Sequence, residues 1–486
     1  MRTSQGIVSF VSLTLILSFQ QVETGGDRPH PIVIEGGTLI DGTGGPVMEN
    51  AVVVVHRNKI AAVGRKGSIA YPKAARVIRA DGKFILPGLI DGHVHYDAWH
   101  GELTLAHGVT TVKDTGNPVE WLKALSAALD EGLVRGPRLF YTGNSLTAPP
   151  ALRDHHIGLE SPQMARRAVR LLKENGAIAI KVHQQITLEL LRVVADEAHK
   201  LGLRVTGHIR RLGAIQAALA GIDALEHSTG VARSTGPNAE FIQDREPENE
   251  LTGYYDDLNE MAEMKPENFA RLIRLLVEKK VAIQPTLVTY FRIASDHRQA
   301  YAQEDAMFAR NENLRYVPDE VRKLWRTSVL FEPKSPEERD RFRRAYRNMS
   351  RFLKQFHDAG GKLLVGSSTS VMVPGRSLHR EMEMMVELGL SPGEVIRMTT
   401  QGNAEFLRKE KELGTIAAGK FADLIIVKSN PLDDIKNIQQ VELVIKNGKE
   451  VDTSYNPDYA MPIPRPQLER PVWLEQQLKR EARGKM

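Results

Sequence analysis

Six side chains in this 486-residue sequence stand at or near the ends of short apolar runs and could ligate a metal or carry a proton. His93 and His95 close the run Leu89–His95, and Lys181 and His183 close Ala177–His183. His208 lies near the end of Arg204–Ile209, and His227 near the end of Ala224–Ser228. Residues at i and i+2 of a strand point to the same side, so His93 and His95 would act together. With 15 histidines in 486 residues, chance alone supplies about half of one such pair, so His93-Val94-His95 carries little weight by itself. Four imidazoles at the ends of neighbouring parallel strands would be different, because together they form a cage for a divalent ion. Lys181 sits inside the apolar stretch Ile178–Val182, where an amine is costly unless paired or modified. Two readings stay open for it: a strand-end lysine reaching solvent, or a lysine converted by carbon dioxide to a carbamate that offers an anionic oxygen.

Positioning such residues requires a particular scaffold. Eight apolar runs read as buried parallel strands: Leu89–His95, Val109–Thr115, Arg138–Gly143, Ala177–His183, Arg204–Ile209, Ala224–Ser228, Ala282–Leu287 and Leu363–Ser368. Between them, Pro118–Leu133, Ser161–Asn175, Thr187–Leu201 and Pro266–Lys280 space their apolar residues with the helical period. Ser161 and Thr187 stand where N-caps belong, with Pro162 at the first helical position. This alternation predicts an α/β protein built on a (β/α)8 TIM barrel, whose active face is the C-terminal end of the strands. Strand-like segments rich in Val and Ile also occur before and after this region, in Ile32–Ala80 and Ala422–Ile445. These predict a small composite β-sandwich domain made from both ends of the chain. The expected boundaries are 1–26 for a signal peptide, 31–85 and 411–455 for the two parts of the β domain, 86–410 for the barrel, and 456–486 for a Pro-rich basic tail.

Composition narrows the function classes. The chain is 42% hydrophobic and 26% charged, which is ordinary for a globular protein. Its net charge of +5 includes +3 from Arg465–Met486, so no nucleic-acid partner is expected. Cysteine is absent, which excludes disulfides, thiolate ligands and cysteine nucleophiles. Arg2 followed by the apolar run Ile7–Phe19 reads as an export signal, too short to span a bilayer comfortably. The expectation is a secreted or periplasmic protein with no stable membrane anchor and a small-molecule substrate, with homo-oligomerisation left open.

Around the histidines the sequence resembles the metal-dependent amidohydrolase superfamily, in its imidazolonepropionase-like and prolidase-like dipeptidase branch. The stretch Leu86-Pro87-Gly88-Leu89-Ile90-Asp91-Gly92-His93-Val94-His95 is similar to the family's first-strand signature. Gly402-Asn403-Ala404 and Leu413–Leu424 are similar to its C-terminal signature. The resemblance runs from about Ile32 to Val451 and implies two divalent ions, taken as zinc. His93 and His95 would hold the more buried ion, His208 and His227 the other, and Lys181 as a carbamate would bridge them. It also implies attack on an amide carbonyl by a metal-activated hydroxide, with an Asp at the end of strand eight acting as ligand, general base and then general acid.

At that last position the sequence departs from the pattern. Strand eight reads Leu363-Leu364-Val365-Gly366-Ser367-Ser368-Thr369-Ser370, and Pro374–Glu381 fixes the register. Ser368 therefore occupies the slot of the Asp, and a serine hydroxyl is neither anionic nor basic at neutral pH. Asp114, at the end of strand two, is the candidate substitute acid, with a structural strand-end carboxylate as its plainer reading. Two functions follow: an exported metal-dependent hydrolase of a dipeptide or cyclic amide with altered proton transfer, or an impaired relative that binds metal or ligand. Glu240–Glu263 carries nine acidic residues and one basic residue, which suits a solvated face or the attraction of a cationic substrate. Arg339–Lys354 reads as a helix with a charged outer face. His183 and Tyr290 are candidates for substrate contact.

Overall fold

Seven of the eight apolar runs form short parallel strands, at Leu89–Val94, Val109–Asp114, Arg138–Tyr141, Ala179–Val182, Arg204–Gly207, Ala224–Glu226 and Ala282–Gln284. The structure is a computed structural model that describes residues 31–151, 153–237, 250–327, 335–460, 462–466 and 473–483. The apolar run Ile7–Phe19 and the expected export signal lie outside the described residues. Nearly every residue of the seven strands is buried, which is why they read as apolar runs and not as alternating ones. Pairing is parallel and in sequence order within each of two groups, the first three strands and the last four. Ile178 N–H donating to Tyr141 O at 3.0 Å joins the groups.

Residues 363–369 form the eighth stave without a continuous ladder. They bridge Ile283 at Leu363 and Val94 at Thr369. His95 N–H donates to Thr369 O at 2.8 Å, and Ser368 N–H donates to His93 O at 2.7 Å, which closes the barrel. Gly366 is required here, because a Cβ would come within 2.7 Å of the His93 Cβ. At the other end, Asn403 pins the closure: its Nδ2 donates to Ile90 O and Val365 O, each at 2.7 Å, and its Oδ1 accepts from Val365 N–H at 3.3 Å. The Gly402-Asn403-Ala404 motif is thus a clamp on the first and eighth staves.

The helices begin where their caps place them. Ser161 and Thr187 each accept a hydrogen bond at 3.2 Å from the backbone N–H three residues on, and the helices run Pro162–Glu174 and Leu188–Lys200. The expected helix Pro266–Lys280 instead starts as a 3-10 turn, Pro266–Asn268, before Phe269–Glu278. The long connections hold their own helices, Glu250–Ala262 in one and Arg298–Arg310, Asp319–Thr327 and Pro336–Asp358 in the other. Pro336–Asp358 buries Phe342, Ala345, Met349, Phe352, Leu353 and Phe356 and leaves its charged residues outside. None of the described helices is long and apolar enough to cross a membrane.

The two terminal blocks pair into one eight-stranded sheet. Its central strand, Phe84–Pro87, runs parallel to Ile32–Leu39 and antiparallel to Leu424–Val427. Alternate residues feed opposite faces: Ile34, Val53 and Val55 pack on one side, and Val33, Val52 and Val54 on the other. The described residues of the segment 456–486, expected as a basic tail, lie against the barrel. Tyr459 OH donates to Arg135 O at 3.0 Å, and Trp121 Nε1 donates to Ile463 O at 3.1 Å. Arg465 donates to Asn117 Oδ1 at 2.7 Å and to both Asp154 oxygens at 3.0 and 2.9 Å. A last helix, Trp473–Arg483, packs on Pro162–Glu174 and buries Leu474 and Leu478.

Candidate metal centre

The strand ends bring the predicted histidines into one chain of rings. Ring centroids are 5.5 Å apart for His93 and His95, 4.8 Å for His93 and His227, 4.6 Å for His227 and His208, and 5.0 Å for His208 and His183. Burial, reinforced by neighbouring cationic groups, holds all five rings well below the usual imidazole range. They are therefore neutral, the form that ligates a metal. Both ring nitrogens of His93 and Nε2 of His208 are buried with no hydrogen-bond partner in the protein. Unpaired buried polar atoms are costly, and a divalent ion would satisfy these. His227 Nδ1 lies 2.6 Å from Thr286 Oγ1, so its Nε2 is left for an ion.

Lys181 is 1% exposed, and burial followed by the nearby cations Lys113 and Arg153 lowers its pKa well below the usual lysine range. Its Nζ contacts Glu226 Oε2. Glu226 is fully buried; its Oε1 accepts from Thr206 Oγ1 at 2.8 Å and lies 3.7 Å from His93 Nδ1. Sequence reasoning missed Glu226. Strand alternation puts neighbouring residues on opposite faces, so reading His227 inward turns Glu226 away. His227 instead has φ +57° and leaves the strand in a left-handed turn, which brings both side chains inward. Among the described residues, His93, Glu226 and His227 are the group whose donor atoms all lie within 4.8 Å of one another.

Above the rings is a cavity of about 200 Å3. His95, Lys181, His183, His208, His227 and Ser368 open onto it. Ser368 is 6% exposed and has φ +51°, a backbone region that Asp and Asn tolerate better than most residues. Arg153, His155, Tyr254 and Arg292 complete much of the wall; Tyr254 comes from the helix Glu250–Ala262 and the other three from non-helical segments, and no motif marked them. Arg292 is braced by Asp305 at 2.7 Å, which also pairs with Arg380 at 2.7 Å.

Of the two remaining candidates, Tyr290 lies beside the cage, its ring centroid 5.7 Å from that of His227, and both are tied into hydrogen bonds of their own. Tyr290 OH donates to Asp257 Oδ2 at 2.8 Å, and Asp257 is also paired with Arg210. Asp257 thereby anchors the acidic helix Glu250–Ala262 to the barrel rim. Asp114 is fully buried, and its carboxylate accepts from Tyr96 N–H at 2.8 Å, Gly116 N–H at 3.0 Å and Asn117 Nδ2 at 2.7 Å. Burial, opposed by those bonds, raises its pKa to about 6. Asp91, in the first-strand motif, ties the first and eighth staves together by accepting from Ser367 N–H at 2.9 Å and Ser367 Oγ at 2.5 Å.

Comparison with known proteins agrees with this architecture. The chain resembles a putative prolidase from Bifidobacterium longum with a TM-score of 0.65 and 24% identity, covering 93% of this chain and 99% of that one. A Xaa-Pro dipeptidase with bound methionine gives 0.61 and 23%, over 87% and 100% of the two chains. Ochratoxinase of Aspergillus niger is 24% identical over 87% of each sequence. Adenine deaminase of Rubrobacter xylanophilus is 36% identical over 92 residues, a match that spans only 15% of that relative and 19% of this chain. The model of the amidohydrolase family matches residues 84–451, from the central strand of the composite sheet through the barrel to its last strand. The chain belongs to the amidohydrolase family.

Proposed function

We propose that this protein is an exported, metal-dependent hydrolase of an amide bond in a small substrate, a dipeptide or cyclic amide. The observation that carries this reading is the set of neutral, buried imidazoles with unpaired nitrogens at the floor of a cavity. His93, His95, His208 and His227, with Lys181 beside them, would hold the ion, proposed as zinc. A divalent ion bound there supplies Lewis-acid polarisation of a carbonyl and a nucleophile at neutral pH. The rest falls to the chain itself. Arg153 and Arg292 line the wall and suit a substrate carboxylate. The cavity of about 200 Å3 suits a dipeptide-sized molecule better than a long peptide. The names carried by relatives, prolidase, Xaa-Pro dipeptidase and ochratoxinase, agree with an amide substrate.

Ser368 favours a second reading, an impaired relative that binds metal or ligand. Its hydroxyl cannot accept the proton that an Asp in that slot would take. A dipeptide panel, including X-Pro substrates, assayed with added zinc on the parent and on Ser368→Asp separates the two. Turnover by either protein supports the hydrolase. Metal binding without turnover by both supports the binding protein.

A further inference from the structure

We infer that the substrate is a dianionic amide, an acidic dipeptide or N-acyl amino acid with a carboxylate on each side of the scissile bond, gripped between Arg153 and Arg292. This deepens the hydrolase reading above and rests on it. Both arginines line the cavity over the rings. Arg153 follows the third stave, Arg138–Tyr141, and Arg292 follows the seventh, Ala282–Gln284. In a closed ring of eight staves the third and the seventh stand opposite each other. The two cations therefore come from opposite sides of the active rim, and a ligand lying across the cavity can meet one at each end.

The rest of the wall fits an anion and not a cation. Among the described residues no Asp or Glu lines the cavity, and Ser368 withdraws the carboxylate that the family pattern would put there. Thr289, Ser145 and Ser370 add neutral hydroxyls. Asp257 of the acidic helix Glu250–Ala262 is turned to Arg210 and Tyr290, so it offers no counter-charge to a cationic substrate. Arg292 is 8% exposed, and its Nη2 donates to Asp305 Oδ2 at 2.7 Å. Asp305 Oδ1 accepts from the fully buried Arg380 at 2.7 Å. A guanidinium braced in this way loses little freedom when it grips a carboxylate. Arg153 is exposed, yet it lies near enough to act on Lys181, whose amine is lowered first by burial and then by the Lys113 and Arg153 charges.

The test reads binding as well as turnover. Pimelate has the chain length of N-succinylglycine and no amide to cleave, and its monoamide lacks one charge. Calorimetry on the zinc-loaded protein is expected to find pimelate bound about tenfold or more tighter than the monoamide. Arg153→Met and Arg292→Met are each expected to shrink that preference below about threefold. Because Arg292→Met opens the brace at Asp305, Arg292→Lys is measured beside it, with circular dichroism to confirm folding, and is expected to keep part of the preference. In turnover by the parent or by Ser368→Asp, kcat/KM for N-succinylglycine should exceed that for N-succinamylglycine and for N-succinylglycinamide by about tenfold or more. Each Arg→Met variant should lose one of these two preferences and keep the other. Equal binding of pimelate and its monoamide would overturn the inference while leaving the hydrolase reading intact. So would a pimelate preference that survives both Arg→Met variants, because the zinc alone would then hold the carboxylate. An arginine-dependent pimelate preference without turnover of any amide by parent or Ser368→Asp would keep the dianion as ligand and end the hydrolase reading.

Discussion

His227 and Thr286 both leave their strands in the left-handed backbone region, with φ +57° and +47°, and their side chains meet at 2.6 Å between Nδ1 and Oγ1. Two strained strand ends thus hold one imidazole with its free nitrogen aimed into the ring cluster. Thr286→Val removes the orienting hydroxyl at nearly constant volume. It is expected to weaken metal binding 10- to 100-fold by a rough scale for outer-shell partners, and Thr286→Ser should recover most of the loss. Isothermal titration with zinc checks both.

His93 has two buried ring nitrogens without partners, and His95 lines the cavity above it. The variant His93→Ala/His95→Ala should purify with far less zinc than the parent. Elemental analysis after reconstitution reads this directly, and equal metal in the two proteins would move the site elsewhere.

Ser368→Asp should fold well, since φ +51° is a conformation Asp accepts readily. Restoring a positioned acid–base group should raise hydrolysis of a suitable dipeptide by roughly 10²-fold or more. If the parent already turns over well and the Asp adds nothing, a different acid carries the proton.

Asp114 supplies a pH signature. Its folded pKa of about 6 lies above the ordinary carboxyl value of 3.8, so between those values the folded state binds more protons than the unfolded one. Stability from this group is therefore complete below about pH 4 and is lost as pH rises through 6, by about 3 kcal/mol in all. Asp114→Asn cannot titrate. Whatever its stability at pH 4, the parent-minus-variant difference should fall by about that amount by pH 7, as read by urea unfolding at each pH. The pH–rate profile should not move, because the Asp114 oxygens are bonded to Tyr96, Gly116 and Asn117.

Arg465 couples the C-terminal segment to the cavity wall through Asp154, whose Oδ1 lies 2.9 Å from His155 Nδ1. Arg465→Ala should cost about 1–2 kcal/mol of stability, reduced by partial exposure of the pair. It should also raise KM several-fold with little change in kcat, since it loosens a wall and not the metal cage. Equal KM values would confine its role to stability.

The barrel was legible because parallel strands buried on both faces leave unbroken apolar runs, and because Ser161 and Thr187 mark helix starts by local chemistry. The histidine cluster followed from the strand ends. What stayed hidden depends on distant contacts or on local breaks in periodicity. Glu226 turns inward through the positive φ of the residue after it. The eighth stave is held by isolated bridges and by Asn403, so its apolar run looks like a strand that the backbone does not fully form. The segment around Arg465 reads as a charged tail because its partners, Asn117 and Asp154, lie more than 300 positions earlier.

The composite sheet also sets an order in time. Phe84–Pro87 is made early, yet one of its two edges is covered only by Leu424–Val427. Joining them closes a loop of about 340 residues, an entropic cost of about 5 kcal/mol that the local contacts of the barrel need not bear. While the chain leaves the ribosome, that edge stays open, an unpaired row of backbone donors and acceptors of the kind that recruits other strands. Nearly the whole chain must emerge before the first-made sheet is sealed. The nascent protein should therefore depend on chaperones for most of its synthesis and should not tolerate a truncation that removes Leu424–Val427.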